Sequence, residues 1–357
     1  MSEAGVEIIQ ESSAWRARPV QVSATLITYN QERFVEEALR SVLAQRYPVD
    51  LVISDDASRD GTVRVIRAVL EATSSPHRIR LRQGLRNLGI CRNQNAAISL
   101  TEGELVVMFE GDDTSVPDRV EKLVARYLEL GRMVGALGSG ITRVDVDGRI
   151  LEEVRWPRLR ADARVLMDGE WAVHGCGLAF RRDCFFDVGP IGRHLISGDI
   201  ALWMRGAFLR GGGLAQVPES LVRYRIHGQN VGASYFLDYS SPARLREVCR
   251  RLLKNEVAQV LEVHKIGRYL RGHPNDLVAE VAWRRLRDIA VARAALVSAI
   301  ARRPRSYWIL VALRAGRFRP LRSFAGRAAI VATAPGAYRA ARAVVHLVRR
   351  PPTARGE

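Results

Sequence analysis

Cysteine is scarce in this chain. Cys91, Cys176, Cys184 and Cys249 are the four present, and no two stand in CxxC spacing. That pattern excludes a cysteine zinc site and gives no disulfide framework; the thiols read as small buried hydrophobes in a reducing cytosol. No apolar run reaches the ~20 uninterrupted residues of a membrane span. The opening MSEAGVEIIQESS is acidic and lacks the apolar stretch expected of a signal peptide. Neither GxGxxG after the first strand nor GxxxxGK[ST] occurs, so a dinucleotide fingerprint and a P-loop are both unsupported. A phosphate-bearing ligand would need a metal in place of a glycine-rich loop.

What is present favours two domains, or one large domain with an appendage, in 357 residues with 47% hydrophobic content. The net charge of +17 is uneven. Residues 241–357 hold 25 Lys and Arg against 7 Asp and Glu, which leaves 30 basic and 31 acidic residues in the first 240. Charge alone fits nucleic acid or an anionic membrane surface equally. Residues 289–357 carry 14 arginines and one acid, Glu357. Tyr307, Trp308, Phe318 and Phe324 among those arginines suit a helix lying in the headgroup region. The other reading is a helical cap with a solvated arginine face.

Along the chain, residues 1–20 read as a loose lead-in, 21–235 as an α/β domain and 236–357 as a basic helical region. Val22–Thr28 reads as a buried strand, and Glu32–Leu43 as a helix by the period of Phe34, Val35, Ala38, Leu39 and Val42. A strand at Leu51–Ser54 ends in Asp55-Asp56. A helix follows with Val63, Val65, Ile66, Val69 and Leu70 apolar. A short strand near Arg78–Leu81, a helix through Asn95–Leu100, a strand at 105–109, a helix over 118–130 and a strand over 134–144 continue the alternation. Asp147-Gly148 is a hairpin signal. A helix opens at Asp199 and runs to Leu209, Leu221–Ile226 is a last strand, and Arg244–Val263 and Leu277–Ile300 are amphipathic helices. Strands alternating with helices of about 10–15 residues predict a mostly parallel, doubly wound sheet flanked by helices.

The chemistry concentrates at Leu105–Pro117, LVVMFEGDDTSVP. Five apolar residues make a strand buried on both faces, and Glu110, Asp112 and Asp113 crown its carboxyl end, where open α/β sheets bind ligands. Carboxylates this close repel one another unless a cation or a solvated turn intervenes. An acidic turn that merely caps the next helix satisfies the tetrad equally well. A second strand also ends in acids, and carboxylates gathered at one sheet edge can hold a divalent cation and ribose hydroxyls.

Thr28-Tyr29-Asn30 after the first strand, Asp55-Asp56-Ala-Ser-x-Asp-Gly-Thr after the second, Asn87-x-Gly with Asn95 downstream, and Glu110-Gly-Asp-Asp ending the central strand follow in a specific order. Over residues 20–230 the chain resembles a family 2 glycosyltransferase of the GT-A type. The resemblance implies a Rossmann-like fold and inverting transfer of a sugar from a nucleotide diphosphate donor, with UDP-sugars first, using Mg²⁺ or Mn²⁺. Carried onto matching positions, it assigns Asp56 to the nucleobase, and Thr28, Tyr29, Asn30, Asn87 and Asn95 to the nucleotide. Arg92 is assigned to the diphosphate. Asp55 reads as a buried structural acid. Asp112 is the metal ligand, since a hard cation on a diphosphate takes few protein carboxylates. Glu110 stands where the family usually has Asp and reaches one methylene further, through water. His227 completes the metal shell or touches the diphosphate, or is structural. Asp199 is the general base, following Gly198 where the family more often has an acid. Gly177, Arg181 and Arg182 lie on the acceptor side. His174 and His194 read as structural, and Trp203 as core.

The acceptor implied is a glycan or lipid-linked glycan, and the place is the cytoplasmic side, peripheral on the membrane. Two other classes remain: a donor-binding pseudoenzyme or assembly subunit of a polysaccharide pathway, with Glu110 and Gly198 as marks of decay, and a nucleic-acid binder acting through the arginine tail. No nucleic-acid module is recognisable there, so no nucleic acid is expected as partner.

Overall fold

The computed structural model describes residues 5–155, 160–161, 174–209, 212–228, 230, 242–272 and 283. The strands are β1 (Val6–Gln10), β2 (Val22–Thr28), β3 (Asp50–Asp55), β4 (Arg78–Gln83), β5 (Leu105–Glu110), β6 (Thr114–Ser115), β7 (Ala136–Val144), β8 (Ile150–Val154), β9 (Arg160–Ala161), β10 (Ala179–Arg181) and β11 (Leu214–Arg225). The helices are α1 (Val35–Leu43), α2 (Thr62–Glu71), α3 (Ile90–Ser99), α4 (Arg119–Glu129), α5 (Asp183–Phe186), α6 (Asp199–Phe208) and α7 (Pro242–Gly272).

One sheet organises the chain, in the order β1-β4-β3-β2-β5-β10-β7-β11-β6, with β8 beside β7 and β9 beside β11. β4, β3, β2 and β5 are parallel, and so are β7 and β11. Every residue of β2 and β3 is buried, as continuous apolar runs covered on both faces require. Helices α1, α2 and α4 pack on one face; α3, α6 and α7 pack on the other. In α1 the buried set Val35, Ala38, Leu39, Val42 and Leu43 follows the three-to-four spacing of an amphipathic helix. The mostly parallel α/β sheet expected from the alternation is present, and the Asp147-Gly148 turn closes the β7–β8 hairpin.

Four differences have physical causes. Residues 6–10 are an antiparallel edge strand on β4, tied down by Glu7–Arg67 at 2.8 Å, while Trp15 and Val20 are fully buried. The lead-in is therefore not loose over those residues. An edge strand exposed on one side lacks the apolar run that betrays a central one. β11 begins at Leu214, seven residues early, because irregular register around Pro218 breaks its alternation.

β10 runs antiparallel between the parallel strands β5 and β7. Its start therefore lies at the carboxyl edge of the sheet and its end at the opposite edge. Helix α7 is longer than its periodic core. Its Ala258, Val263, Ile266 and Leu270 pack into the same core as Leu202, Trp203 and Phe208 of α6, with Arg205 and Glu262 paired at 2.6 Å and both fully buried. Apart from Trp283, the expected helix over 277–300 lies outside the described residues, as does the whole arginine tail.

Candidate active site

The carboxyl ends of β2, β3, β4 and β5 and the start of β10 open onto one cleft of about 630 Å³. Thr28, Tyr29, Asn30, Asp56, Asn87, Glu110, Asp112, Asp199 and His227 all line it. Acids from separate strand ends thus meet around one hollow. Arg92, Gly177, Arg181 and Arg182 do not line it.

The two arginines lie elsewhere because β10 is antiparallel. Arg181 pairs with Leu105, at the amino end of β5, and its guanidinium is held by Asp183 at 2.9 Å. Arg182 donates to the Thr101 carbonyl at 2.8 Å and stacks on Phe186. Both are therefore on the far edge of the sheet from the acids, which corrects their acceptor-side placement. Gly177 is buried against Ser139, whereas its neighbours Gly175 and Cys176 reach the cleft. Arg92 is an exposed residue of the first turn of α3.

On one wall, Asp55 accepts the Thr28 hydroxyl at 3.0 Å and the Ser58 amide at 2.8 Å, as a buried structural acid does. Asp56 accepts the amides of Leu88 and Gly89 at 2.9 and 2.8 Å. It thereby sets the turn that carries Asn87, and burial raises its pKa against those bonds. Asn30 sits in the left-handed region at φ 51° and accepts the Arg59 amide at 2.8 Å. Asn95 is a clamp rather than a cleft residue: its side chain holds both the amide and the carbonyl of Ile191, at 2.8 and 2.9 Å.

At the floor, one carboxylate oxygen each from Glu110, Asp112 and Asp113 lies within 4.8 Å of the others. Glu110 is pushed up to about 8, first by desolvation and then by Asp112 and Asp199. Asp113 is likewise raised first by burial and then by its own neighbours, Asp112 and Glu110, while accepting the Arg225 amide at 2.8 Å. Acids this crowded resist ionising together, and a divalent cation between them removes that repulsion. The donor set is all oxygen, which suits a hard cation. His227 places Nε2 3.0 Å from Asp112 Oδ2 and stacks on Phe34 at 4.9 Å; it touches a member of the cluster without being one of the three. Beneath them lies Arg119, fully buried over the Phe109 ring, its charge disfavoured to about 10 by burial. Arg225 braces the turn from above, donating from Nε to the Asp112 carbonyl at 3.1 Å.

Asp199 is the first residue of α6, 8% exposed, with Oδ1 buried and without a hydrogen-bond partner. Desolvation raises its pKa, opposed by bonds from Ser197 and the Ile200 amide. A carboxylate lifted toward neutrality with a vacant acceptor oxygen is equipped to take a proton. Gly198 precedes it for a spatial reason: a Cβ there would run into the Gln94 side chain, which itself accepts the Gly198 amide at 3.1 Å. Gln94 occupies the room that an acid at 198 would need.

Trp203 is core, and His194 is exposed. His174 lines the cleft, is held neutral to about 4 chiefly by burial, and stacks on Tyr224. Sequence reasoning counted Asp113 among the three crowded carboxylates but gave it no ligand role, and passed over Arg119 as their counter-charge and Arg193 and Arg251 in the cleft lining. Only Asp113 had a signal, being the third acid of the tetrad.

The family model for glycosyl transferase family 2 matches residues 23–188. Residues 23–188 thus form a glycosyltransferase family 2 domain. The chain is 36% identical over 146 residues to the putative glycosyltransferase EpsE of Bacillus subtilis, covering 40% of this chain and 51% of that protein. It is 30% identical over 149 residues to the succinoglycan biosynthesis protein ExoO of Rhizobium meliloti, covering 40% and 41%. The chain thus spans about half or less of the length of these curated relatives. Among solved structures, S. aureus TarS in complex with UDP-GlcNAc superposes with a TM-score of 0.50 at 16% identity, over 90% of this chain and 92% of that one. The glycosyltransferase fold is the GT-A fold.

Proposed function

We propose that the chain is an inverting, metal-dependent glycosyltransferase that moves a sugar from a nucleoside diphosphate donor, UDP-sugars first, to a hydroxyl of a glycan or lipid-linked acceptor. The observation that carries this reading is the convergence of Asp56, the Glu110–Asp112–Asp113 floor and Asp199 on one cleft. Thr28, Tyr29, Asn30 and Asn87 form the nucleotide wall, with Asp56 setting the turn beneath it. Asp112, with Glu110 and Asp113 beside it and His227 bonded to it, would hold Mg²⁺ or Mn²⁺. A cation there supplies charge neutralisation for the leaving diphosphate. Asp199 accepts the proton of the acceptor hydroxyl on its carboxylate as that hydroxyl oxygen attacks the anomeric carbon, and inversion follows from one in-line displacement. The family's departures at Glu110 and Gly198 are accommodated, since Glu110 joins the carboxylate floor and Gln94 fills the space beside Gly198. Neither supports decay to a pseudoenzyme.

A thermal-shift panel of nucleotide sugars with and without Mn²⁺ tests this reading. Stabilisation by one donor only when the metal is present is expected. Asp112→Ala should lose that shift, and Asp199→Asn should keep it while transfer falls roughly 10²–10⁴-fold. Unimpaired transfer by either variant would end the assignment of that residue.

Among the described residues no helix is long and apolar enough to cross a membrane. We assign membrane contact, on the cytoplasmic side, to the arginine-rich residues 289–357, from composition and charge. Loss of co-sedimentation with anionic vesicles on removing them is the expected result.

A further inference from the structure

We propose that the mouth of the cleft contains a subsite for an anionic group of the acceptor, a phosphate or a carboxylate, walled by Arg193 and Arg251. This rests on the glycosyl-transfer reading and adds the charge of the acceptor to it. Arg193 stands six residues before Asp199 on the segment that delivers the base, and Arg251 comes from α7; both line the cleft and both are exposed. Arg193 Nε donates to His194 Nε2 at 3.0 Å, which turns the imidazole into an acceptor and leaves the other guanidinium nitrogens to the mouth. Lys254 and Arg92 also bear on His194, whose protonation is disfavoured first by desolvation and then by Arg193, Lys254 and Arg92. Cations from α3, the 191–198 segment and α7 therefore surround His194, next to the cleft-lining Arg193.

That rim is fixed relative to the base. Asn255, one turn after Arg251, accepts the Ile196 amide at 2.9 Å, and Glu262 accepts the Gly192 amide at 2.9 Å. Asn95 grips Ile191 through both of its backbone groups, at 2.8 and 2.9 Å. Arg193 thus lies between pinned backbone points, and the element bearing Arg251 is bonded to the loop leading to Asp199. Such fastening fixes the backbone that carries both guanidinium forks relative to the helix bearing the proton-accepting carboxylate, which is what a subsite for a charged acceptor needs.

The wall decides between acceptor and donor. Tyr29, Asp56 and Asn87 line the same cleft from the ends of β2, β3 and β4, and the donor diphosphate is assigned to the carboxylate floor. Arg193 and Arg251 belong to the wall that carries the base, and the base faces the acceptor. A floor of three acids also repels an incoming anion, so cations at the entrance are required to admit one.

The test uses the full chain with its nucleotide site saturated by UDP and Mn²⁺, and inorganic phosphate as probe, followed by calorimetry. Phosphate should bind beside UDP, and Arg193→Ala/Arg251→Ala should weaken it at least about tenfold while UDP affinity stays within about twofold. Both side chains are exposed, so the fold should survive. Phosphate binding unchanged in the variant would place the ion elsewhere, on the basic tail for instance, and overturn the subsite. An absence of phosphate binding beside UDP would do the same. A parallel loss of UDP affinity would assign the arginines to the donor instead. Failure of the parent protein to bind UDP with Mn²⁺ would remove the glycosyl-transfer reading itself, and the subsite with it.

Discussion

Replacing Glu262 by leucine isolates how far α7 belongs to the catalytic body. Its carboxylate is fully buried and accepts from Arg205 at 2.6 and 3.2 Å, from Lys265 at 2.7 Å and from the Gly192 amide at 2.9 Å. Arg205 is equally buried and would be left with only the carbonyls of Cys184, Gly189 and Pro190. Breaking a buried pair by removing one partner costs ~3–5 kcal/mol, because the surviving charge stays desolvated. At roughly 2–4 °C per kcal/mol for domains somewhat smaller than this one, Tm should fall on the order of 10 °C. Scanning fluorimetry and urea unfolding measure the loss. Arg205→Met/Glu262→Leu should recover at least about half of it, since neither charge then remains buried. Freeing Gly192 also loosens the segment that ends at Asp199, so kcat should drop more than donor KM changes. A Glu262→Leu protein that melts within about 2 °C of the parent would refute the reasoning, as would a double variant no better than the single.

Gly175→Ala would set a Cβ 2.9 Å from Asp199 Oδ2, and displacing that carboxylate should lower kcat roughly tenfold to a hundredfold with donor affinity retained. Steady-state kinetics would show an unchanged kcat if the base lies elsewhere. His77 is buried, accepts the Val49 amide on Nδ1 at 3.2 Å and is lowered to about 4, with desolvation as the main cause. Its folded value lies below the unfolded one of about 6.5, so its contribution is complete above pH 6.5 and is lost as pH falls toward 4, by at most roughly 3 kcal/mol. Urea unfolding across that window should be less acid-sensitive in His77→Asn, whose Oδ1 can accept the same amide; equal sensitivity would discount the histidine.

Much of this protein was legible without coordinates. Runs such as VSATLIT and LVVMF are uncharged and largely apolar on both alternating faces, so they had to be covered on both sides, and the helices between them show their buried stripes by period alone. The acids at the ends of two such strands had to emerge at one edge, because parallel strands present their carboxyl ends together. Local sequence determined those outcomes because burial and period act over a few residues. Tertiary structure alone decided the rest. The reversed direction of β10 carried Gly175 to the base and Arg181 and Arg182 to the far edge, and no local pattern encodes strand direction. The pairing of Arg205 with Glu262, 57 residues apart, and the placing of Arg193 and Arg251, 58 apart, in the lining of one cleft both follow from the docking of α7 on α6. A charged residue reads as solvated until its distant partner is placed beside it, and only the packed fold makes that placement.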